Sequence, residues 1–393
     1  MFLFFQKKNF LLSRRAFIAA AACACPVPAL AAADAYVGAI QAAMAILPAG
    51  PVLLNSFVVD PGPDPNDFDS TQANAAYVYD NAVAGLALLA GGDHAGAARI
   101  GQALEMAQEQ DRFYRDGRLR NAYQAGAMTG PAKLPGWWEA GAKQWREDAY
   151  QVGSQTGPVA WAMLLWAALG QMGAANRAGD WLDDQLRAPN GYFGGFYGFE
   201  PHPLKLTWQS TEQNTDLFAA FGRLGRREDA GHAKDFVDGM FDRNFGTFIA
   251  GLAPDGSRNR FLAADAGTWP YLAGIGTAAS ARTAIAKLLH GGGIGFSQAS
   301  AGVWLEGTAF AALALEKAGE RMAGQFEATL AANVAPAGYV FASAGPELST
   351  GLTVGPSLQP GVAPQKFNYY RRPALAPTAW AALAALAVNP LAP

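Results

Sequence analysis

"STEQNTDLFAAFGRLGRREDAGHAKDFVDGMF", residues 210–241, reads as two helices joined at a glycine. The first opens with polar and acidic side chains, Glu212, Asn214 and Asp216, and is then apolar. The second is amphipathic: Ala230, Ala233, Phe236 and Val237 share one face, and the other face is charged. Gly225 between them supplies the backbone freedom that ends a helix and turns the chain. The same hairpin recurs at 78–108, 157–186 and 304–333, and in weaker form at 267–290. A lone apolar helix over 375–388 finds its partner in the N-terminal stretch 33–47. A helix that is apolar all round must be buried on all sides, and an amphipathic one lies at a surface. Six inner helices inside six outer ones form a closed double ring. The expected fold is all-α, an (α/α)6 toroid forming one domain over 34–393. An open solenoid fits less well, because the repeats are irregular and carry large insertions.

The connections within the hairpins are short, and those between hairpins are long: 109–156, 187–209, 242–266 and 334–374. In a closed ring all the long segments gather at the N-termini of the inner helices, and long loops in a compact domain usually carry function. Polar residues gather at the same ends: Asp80 and Asn81, Glu212, Asn214 and Asp216, Asp265, Glu306 and Thr308. Glu212 lies 13 residues before Gly225, Glu306 lies 13 before Gly319, and Asp80 lies 12 before Gly92. Three acids at matched height on three buried helices converge on one pocket. One such acid is accounted for by capping, since Ser210–Gln213 fits a capping box and an acid in a first turn complements the helix dipole. Three are not, because a buried carboxylate is costly unless it is paired or used.

Aromatic residues crowd the same end. Trp208, Trp269, Trp304, Tyr369 and Tyr370 precede or begin inner helices, as do Trp137 and Trp138. Ring faces stack on the apolar face of a sugar while amides and carboxylates bond its hydroxyls. Glu212, Asp80 and Glu306 are therefore the expected catalytic acids. Asn81, Trp208, Asn214, Asp216, Trp269, Trp304, Tyr369 and Tyr370 are the expected carbohydrate contacts. Arg118, Arg120, Arg371 and Arg372 also lie in long loops, placed either for an anionic substituent or for pairing with nearby acids.

Other chemistries find no support. The four histidines form no metal-ligand pair, no phosphate-cradling or dinucleotide fingerprint occurs, and neither a metal nor another cofactor is expected. A net charge of -3 gives no reason to expect nucleic acid as a partner. Residues 1–33 read as an export signal: Arg14-Arg15 resembles a twin-arginine motif, a short Ala-rich apolar stretch follows, and Ala29-Leu30-Ala31 offers a cleavage site. That stretch is shorter than the roughly 20 apolar residues a membrane span needs. The expected product is periplasmic or secreted, has no stable membrane span, and lacks disulfides because both cysteines, Cys23 and Cys25, lie in the leader.

Residues 34–390 resemble the six-hairpin glycosidase superfamily, the (α/α)6 toroid glycoside hydrolases. The resemblance rests on the repeated hairpins and on "YDNAVAGLALLA", "WQSTEQNTDLFAAF" and "WLEGTAFAALAL". It implies an exported enzyme that hydrolyses a poly- or oligosaccharide with two carboxylates, often with inversion. Within the matched motifs Glu212 would be the general acid and Asp80 or Glu306 the base. A lyase on the same toroid would need a tyrosine or histidine base and a cation for a uronate, and "KFNYYRRP" (366–373) contains such groups. A non-catalytic glycan-binding protein would keep the aromatics and have no need of three acids.

Overall fold

The computed structural model describes residues 29–392 except 63, 65 and 66. The proposed leader therefore lies outside the described residues up to position 28. The stretch Ala29-Leu30-Ala31 opens the first helix.

The inner ring consists of α3 (Val78–Ala90), α5 (Thr156–Leu169), α7 (Thr211–Arg223), α9 (Ala264–Leu272), α11 (Leu305–Lys317) and α13 (Leu375–Ala385). Each packs against the next, and α13 returns to α3, so the ring is closed. The outer layer consists of α1 (Ala29–Ala45), α4 (His94–Glu109), α6 (Met172–Leu186), α8 (Arg227–Gly239), α10 (Ala278–Lys287) and α12 (Ala323–Ala331). The N-terminal helix α1 packs on α13 and completes the sixth hairpin, as the lone C-terminal helix required. A five-residue helix, α2 (Phe68–Gln72), lies in the loop before α3. Among the described residues no helix is long and apolar enough to cross a membrane.

Composition explains the two layers. Helix α5 (TGPVAWAMLLWAAL) is buried from Thr156 to Trp166 apart from Pro158. Helix α8 buries only Ala230, Ala233, Phe236 and Val237. Small residues let inner helices approach: a Cβ on Gly85 of α3 would meet Leu165 of α5 at 2.7 Å. The inner-to-outer turns pass through Gly92, Gly170, Gly225 and Gly319 with φ between 71° and 84°, a region open to glycine at little steric cost. The weak fourth hairpin has a physical cause. Pro270 in α9 has no N–H to donate to the preceding turn, and the helix ends two residues later.

The long segments are less irregular than the sequence suggests. They fold into short antiparallel strand pairs at the N-terminal ends of the inner helices, such as 75–77 with 122–124 and 195–197 with 204–206. The longest pairs 347–353 with 366–370, with Leu348 opposite Tyr369 and a register shift between Ser349 and Leu352.

Candidate active site

Counting from the first residue of each inner helix sorts the polar and aromatic side chains into three levels. The second position holds Tyr79, Glu212, Asp265 and Glu306, with Asp80 one residue further along α3. The fourth holds Asn81, Asn214, Thr308 and Thr378. The sixth holds Trp161, Asp216, Trp269, Phe310 and Trp380.

The fourth level holds the loops. Asn81 Oδ1 accepts the Leu54 N–H at 2.8 Å, and its Nδ2 donates to the Leu54 and Tyr77 carbonyls. Asn214 repeats this with Tyr192 and Ser210: Oδ1 accepts the Tyr192 N–H at 2.8 Å, and Nδ2 donates to both carbonyls. Thr308 accepts the Ile294 N–H and donates to the Trp304 carbonyl; Thr378 accepts the Val340 N–H and donates to the Ala374 carbonyl. These four side chains are fully buried. Asn81 and Asn214, expected to meet a sugar, instead use their amides to fasten each loop to its helix. Asn214→Ala should lower stability by about 2–4 kcal/mol, because it orphans a buried N–H and carbonyl. Chemical denaturation will read this, and a loss under 1 kcal/mol would mean that the loops hold themselves.

The second level faces inward. Glu212 and Asp265 are half-buried, Asp80 and Glu306 nearly sealed. Burial raises each carboxyl: Asp265 to about 6, Asp80 to about 7 and Glu306 to about 8. Glu212 is pushed well up by burial, then by the charges of Asp265 and Glu306. Asp265 stays lowest of the set because it accepts the Ala266 N–H. Glu306 Oε1 accepts a 2.5 Å hydrogen bond from the Tyr79 hydroxyl, and that hydroxyl accepts one from Trp380 Nε1 at 2.8 Å. Tyr79→Phe should therefore remove the one side-chain donor that favours ionised Glu306 and raise its pKa further above about 8. Infrared titration of the carboxylate band, compared with Glu306→Gln, will show the shift; an unmoved titration would exclude Tyr79 as its positioning group.

The sixth level closes the toroid. Trp161, Trp269, Trp380 and Phe310 meet with ring centroids 5.4–5.8 Å apart, and Tyr79 stands edge-on to Trp161 at 5.3 Å. Trp269 is thus part of this sealed floor and is 2% exposed. Asp216 occupies the same level on α7. It is 0% exposed, neither oxygen has a hydrogen-bond partner, and the Trp161 indole is the polar group favouring its ionised form. Burial and the charges of Glu212 and Asp265 hold its carboxyl well above its usual range.

The remaining aromatics form walls and roof. Trp304 caps the start of α11 and stacks on Tyr369 at 5.6 Å. Tyr369 has its pKa pushed up by burial and also feels the charges of Glu306, Asp80 and Asp265. Its neighbour Tyr370 turns away and packs on Phe68 at 4.8 Å, as strand alternation demands. The tip of the 347–370 hairpin reaches the loop before α7, where Gly355 lies against the Tyr197 ring and Leu358 against Gly198. Trp208 is half-buried and covers Gly194. Tyr150, from the loop before α5, feels both Glu212 and Asp80.

The loop arginines pair elsewhere. Arg118 bonds Asp116, Arg120 bonds Asp111 and Glu200, Arg371 bonds Asn333 and the Ala344 carbonyl, and Arg372 bonds Asp69. The histidines also lie apart from the acids. His94 begins α4 and His202 is exposed in a loop; His232 of α8 sits between the Ala188 and Gly191 carbonyls, and His290 lies in the 289–294 hairpin. Among the described residues no group of three or more His, Cys, Asp or Glu side chains is arranged to hold a metal.

No protein-family model matches the sequence, and no curated protein sequence does. Solved structures do match. A glycosidase in complex with glucose superposes with a TM-score of 0.60 at 14% identity, covering 93% of this chain and 98% of that one. A D-mannose isomerase gives 0.58 at 12% identity over 93% and 98%. Cellobiose 2-epimerase from Spirochaeta thermophila gives 0.58 at 13% identity over 91% and 95%. The likeness extends over nearly the whole of each chain and identifies the fold as the (α/α)6 toroid of these enzymes.

Proposed function

We propose that this protein is a glycoside hydrolase acting on a poly- or oligosaccharide through carboxylate acid–base catalysis. One observation carries the reading: Asp80, Glu212, Asp265 and Glu306, from four inner helices, face one buried, aromatic-walled centre with raised pKa values. Glycoside hydrolysis needs one carboxyl that keeps its proton and one that has lost it. Environments that push neighbouring pKa values apart assign these roles. Glu212, raised partly by the charge of Asp265, is the protonated general acid. Asp265, lowest of the set, is the ionised partner, a role the sequence reading placed on Asp80 or Glu306. Glu306 adds to the charge that keeps Glu212 protonated, and Glu306 and Asp80 bond sugar hydroxyls. Trp208 and Tyr369 wall the sugar, and Trp304, expected as a contact but 3% exposed, backs Tyr369 from within the core. Acids on different helices across a pocket favour the wider carboxylate spacing of an inverting enzyme. The twin-arginine-like leader makes the protein periplasmic or secreted.

A lyase is less well supported, because Arg118, Arg120, Arg371 and Arg372, the arginines expected to meet an anionic substituent, are paired outside the acid ring. An epimerase or isomerase, as two of the structural neighbours are named, is disfavoured because none of the histidines among the described residues is paired with the acids. The test is a screen of purified protein against plant and bacterial polysaccharides, reading new reducing ends, unsaturated uronates and epimerised sugars in parallel. New reducing ends that vanish in Asp265→Asn support the hydrolase. Unsaturated or epimerised products would replace it.

A further inference from the structure

The strand pair 137–139 with 144–146 carries two exposed indoles that the proposed chemistry does not use. Trp138 and Trp145 lie directly opposite each other, so they share one face of the hairpin, and they are 58% and 47% exposed. Trp137, on the other face, is half-buried. Together they line a groove of about 350 Å³ whose far wall is Pro61, Gly62 and Asn74. The groove is built rather than incidental. Asn74 Nδ2 donates to the Gly136 carbonyl, and its Oδ1 accepts the Gly136 N–H, fixing the hairpin base to the wall. A Cβ at Gly136 would clash with the Trp145 ring at 2.6 Å, so glycine there lets the indole lie across the backbone.

We propose that this groove is a second glycan-binding site, taking uncharged sugar residues of a polysaccharide beyond the ones held at the acids. The ligand class rests on the carbohydrate reading above. Two observations favour a glycan over other occupants. The side chains beside the groove are net acidic, with Arg146 taken up by Glu139 and with Asp60 and Asp67 flanking the far wall, so the local field repels an anionic lipid or nucleic acid. The groove also lies at the acid end of the toroid, since its wall residue Asn74 leads directly into the 75–77 strand that precedes α3. From its α2 side, Gln151 Nε2 bonds the Thr71 carbonyl and the Tyr77 hydroxyl, and Tyr77 packs on Tyr150, which feels Glu212 and Asp80. Open indole faces flanked by the ionic hydrogen-bonding heads of Glu139 and Arg146 suit a pyranose, whose CH face stacks and whose rim bonds.

The experiment is affinity electrophoresis of full-length protein in native gels containing a soluble mixed-linkage β-glucan, arabinoxylan, pullulan or alginate. Each gel compares Glu212→Gln, which binds without turnover, with the same variant carrying Trp138→Ala and Trp145→Ala. Both indoles are surface residues, and circular dichroism will verify folding. The expected result is retardation in at least one neutral polysaccharide gel, weakened about tenfold or more by the double substitution. Equal retardation of the two proteins, retardation in alginate alone, or none in any gel would overturn the groove. Sedimentation as a dimer that only the tryptophan substitutions dissolve would also overturn it, giving the face to a second copy of the chain. The two proposals fail separately. Retardation through the indoles by a protein that cleaves nothing in the screen keeps the groove and removes the hydrolase. Cleavage with indole-independent retardation does the reverse.

Discussion

Glu212→Gln should reduce turnover of a glycan with a poor leaving group by about a hundredfold or more, while the protein remains folded. The size of the effect follows from the acid's task. An alkoxide leaving group must be protonated as the glycosidic bond breaks, and Glu212 is the half-buried carboxyl held protonated by burial and by the charges of Asp265 and Glu306. Glutamine reproduces the shape of the neutral carboxyl but has no acidic proton to give. It leaves the fold's polar accounts nearly intact, since Glu212's hydrogen-bond partner is Ser210 Oγ at 3.3 Å. The discriminating measurement is leaving-group dependence. An aryl glycoside whose phenol departs without protonation should be hydrolysed by Glu212→Gln within about tenfold of wild type, whereas Asp265→Asn should be impaired on both substrates. Equal loss on both substrates in Glu212→Gln would move the acid role to Glu306 or Asp80. A parallel loss of thermal stability would reduce Glu212 to a helix cap.

The layout of the toroid was legible because its signals are local and repeat. An all-apolar helix, a glycine with positive φ and an amphipathic helix, as at 157–186, dictate one hairpin, and six hairpins can bury their inner helices by closing on themselves. The height of the acids was legible for the same reason: distance back from the turn glycine measures distance along a helix. What that distance omits is azimuth. Asn81 and Asn214 stand at nearly the same height as Asp80 and Glu212 but point toward the loops, so their polarity serves the fold. Asp265 reads as polar in the sequence, but its short, proline-bearing helix is the weakest repeat and hides its equivalence to Glu212 and Glu306. Trp161 and Trp380 read as ordinary core within apolar helices. Their shared sixth position with Trp269 and Phe310 is the signal that they form one floor, and it emerges only once the helix starts are known. Tyr79 was hidden because its partners, Glu306 and Trp380, are 227 and 301 residues away along the chain.

The second large effect is on stability, and its sign is opposite to that of a paired surface acid. Asp80, Asp265 and Glu306 have folded pKa values of about 7, about 6 and about 8, against ordinary values of 3.8, 3.8 and 4.5. Between the unfolded and folded values the native state holds protons that the unfolded chain has released. Stability therefore falls as pH rises through that window, and the loss is complete above the folded value. Each pKa unit corresponds to about 1.4 kcal/mol. The three shifts do not sum, because Glu306's includes repulsion from Asp80 and Asp265. A combined loss on the order of several kcal/mol between about pH 5 and about pH 8 is expected. Glu306→Gln, which keeps an acceptor for the Tyr79 hydroxyl and cannot ionise, should flatten that profile and leave the protein about 2 kcal/mol or more stabler than wild type at about pH 8. Denaturant titrations at the two pH values will read both effects. A wild-type profile that is level or rises over this range, or a Glu306→Gln variant less stable than wild type at the higher pH, would mean that the acids already have compensating partners. The cost of burying them would then be offset, and with it the main reason for Glu212 to keep its proton. If the profile falls as expected, the same burial that destabilises the ionised acids, joined by repulsion at Glu306 and Glu212, is what holds the general acid ready, so stability and catalysis are set against each other by one cluster of carboxylates.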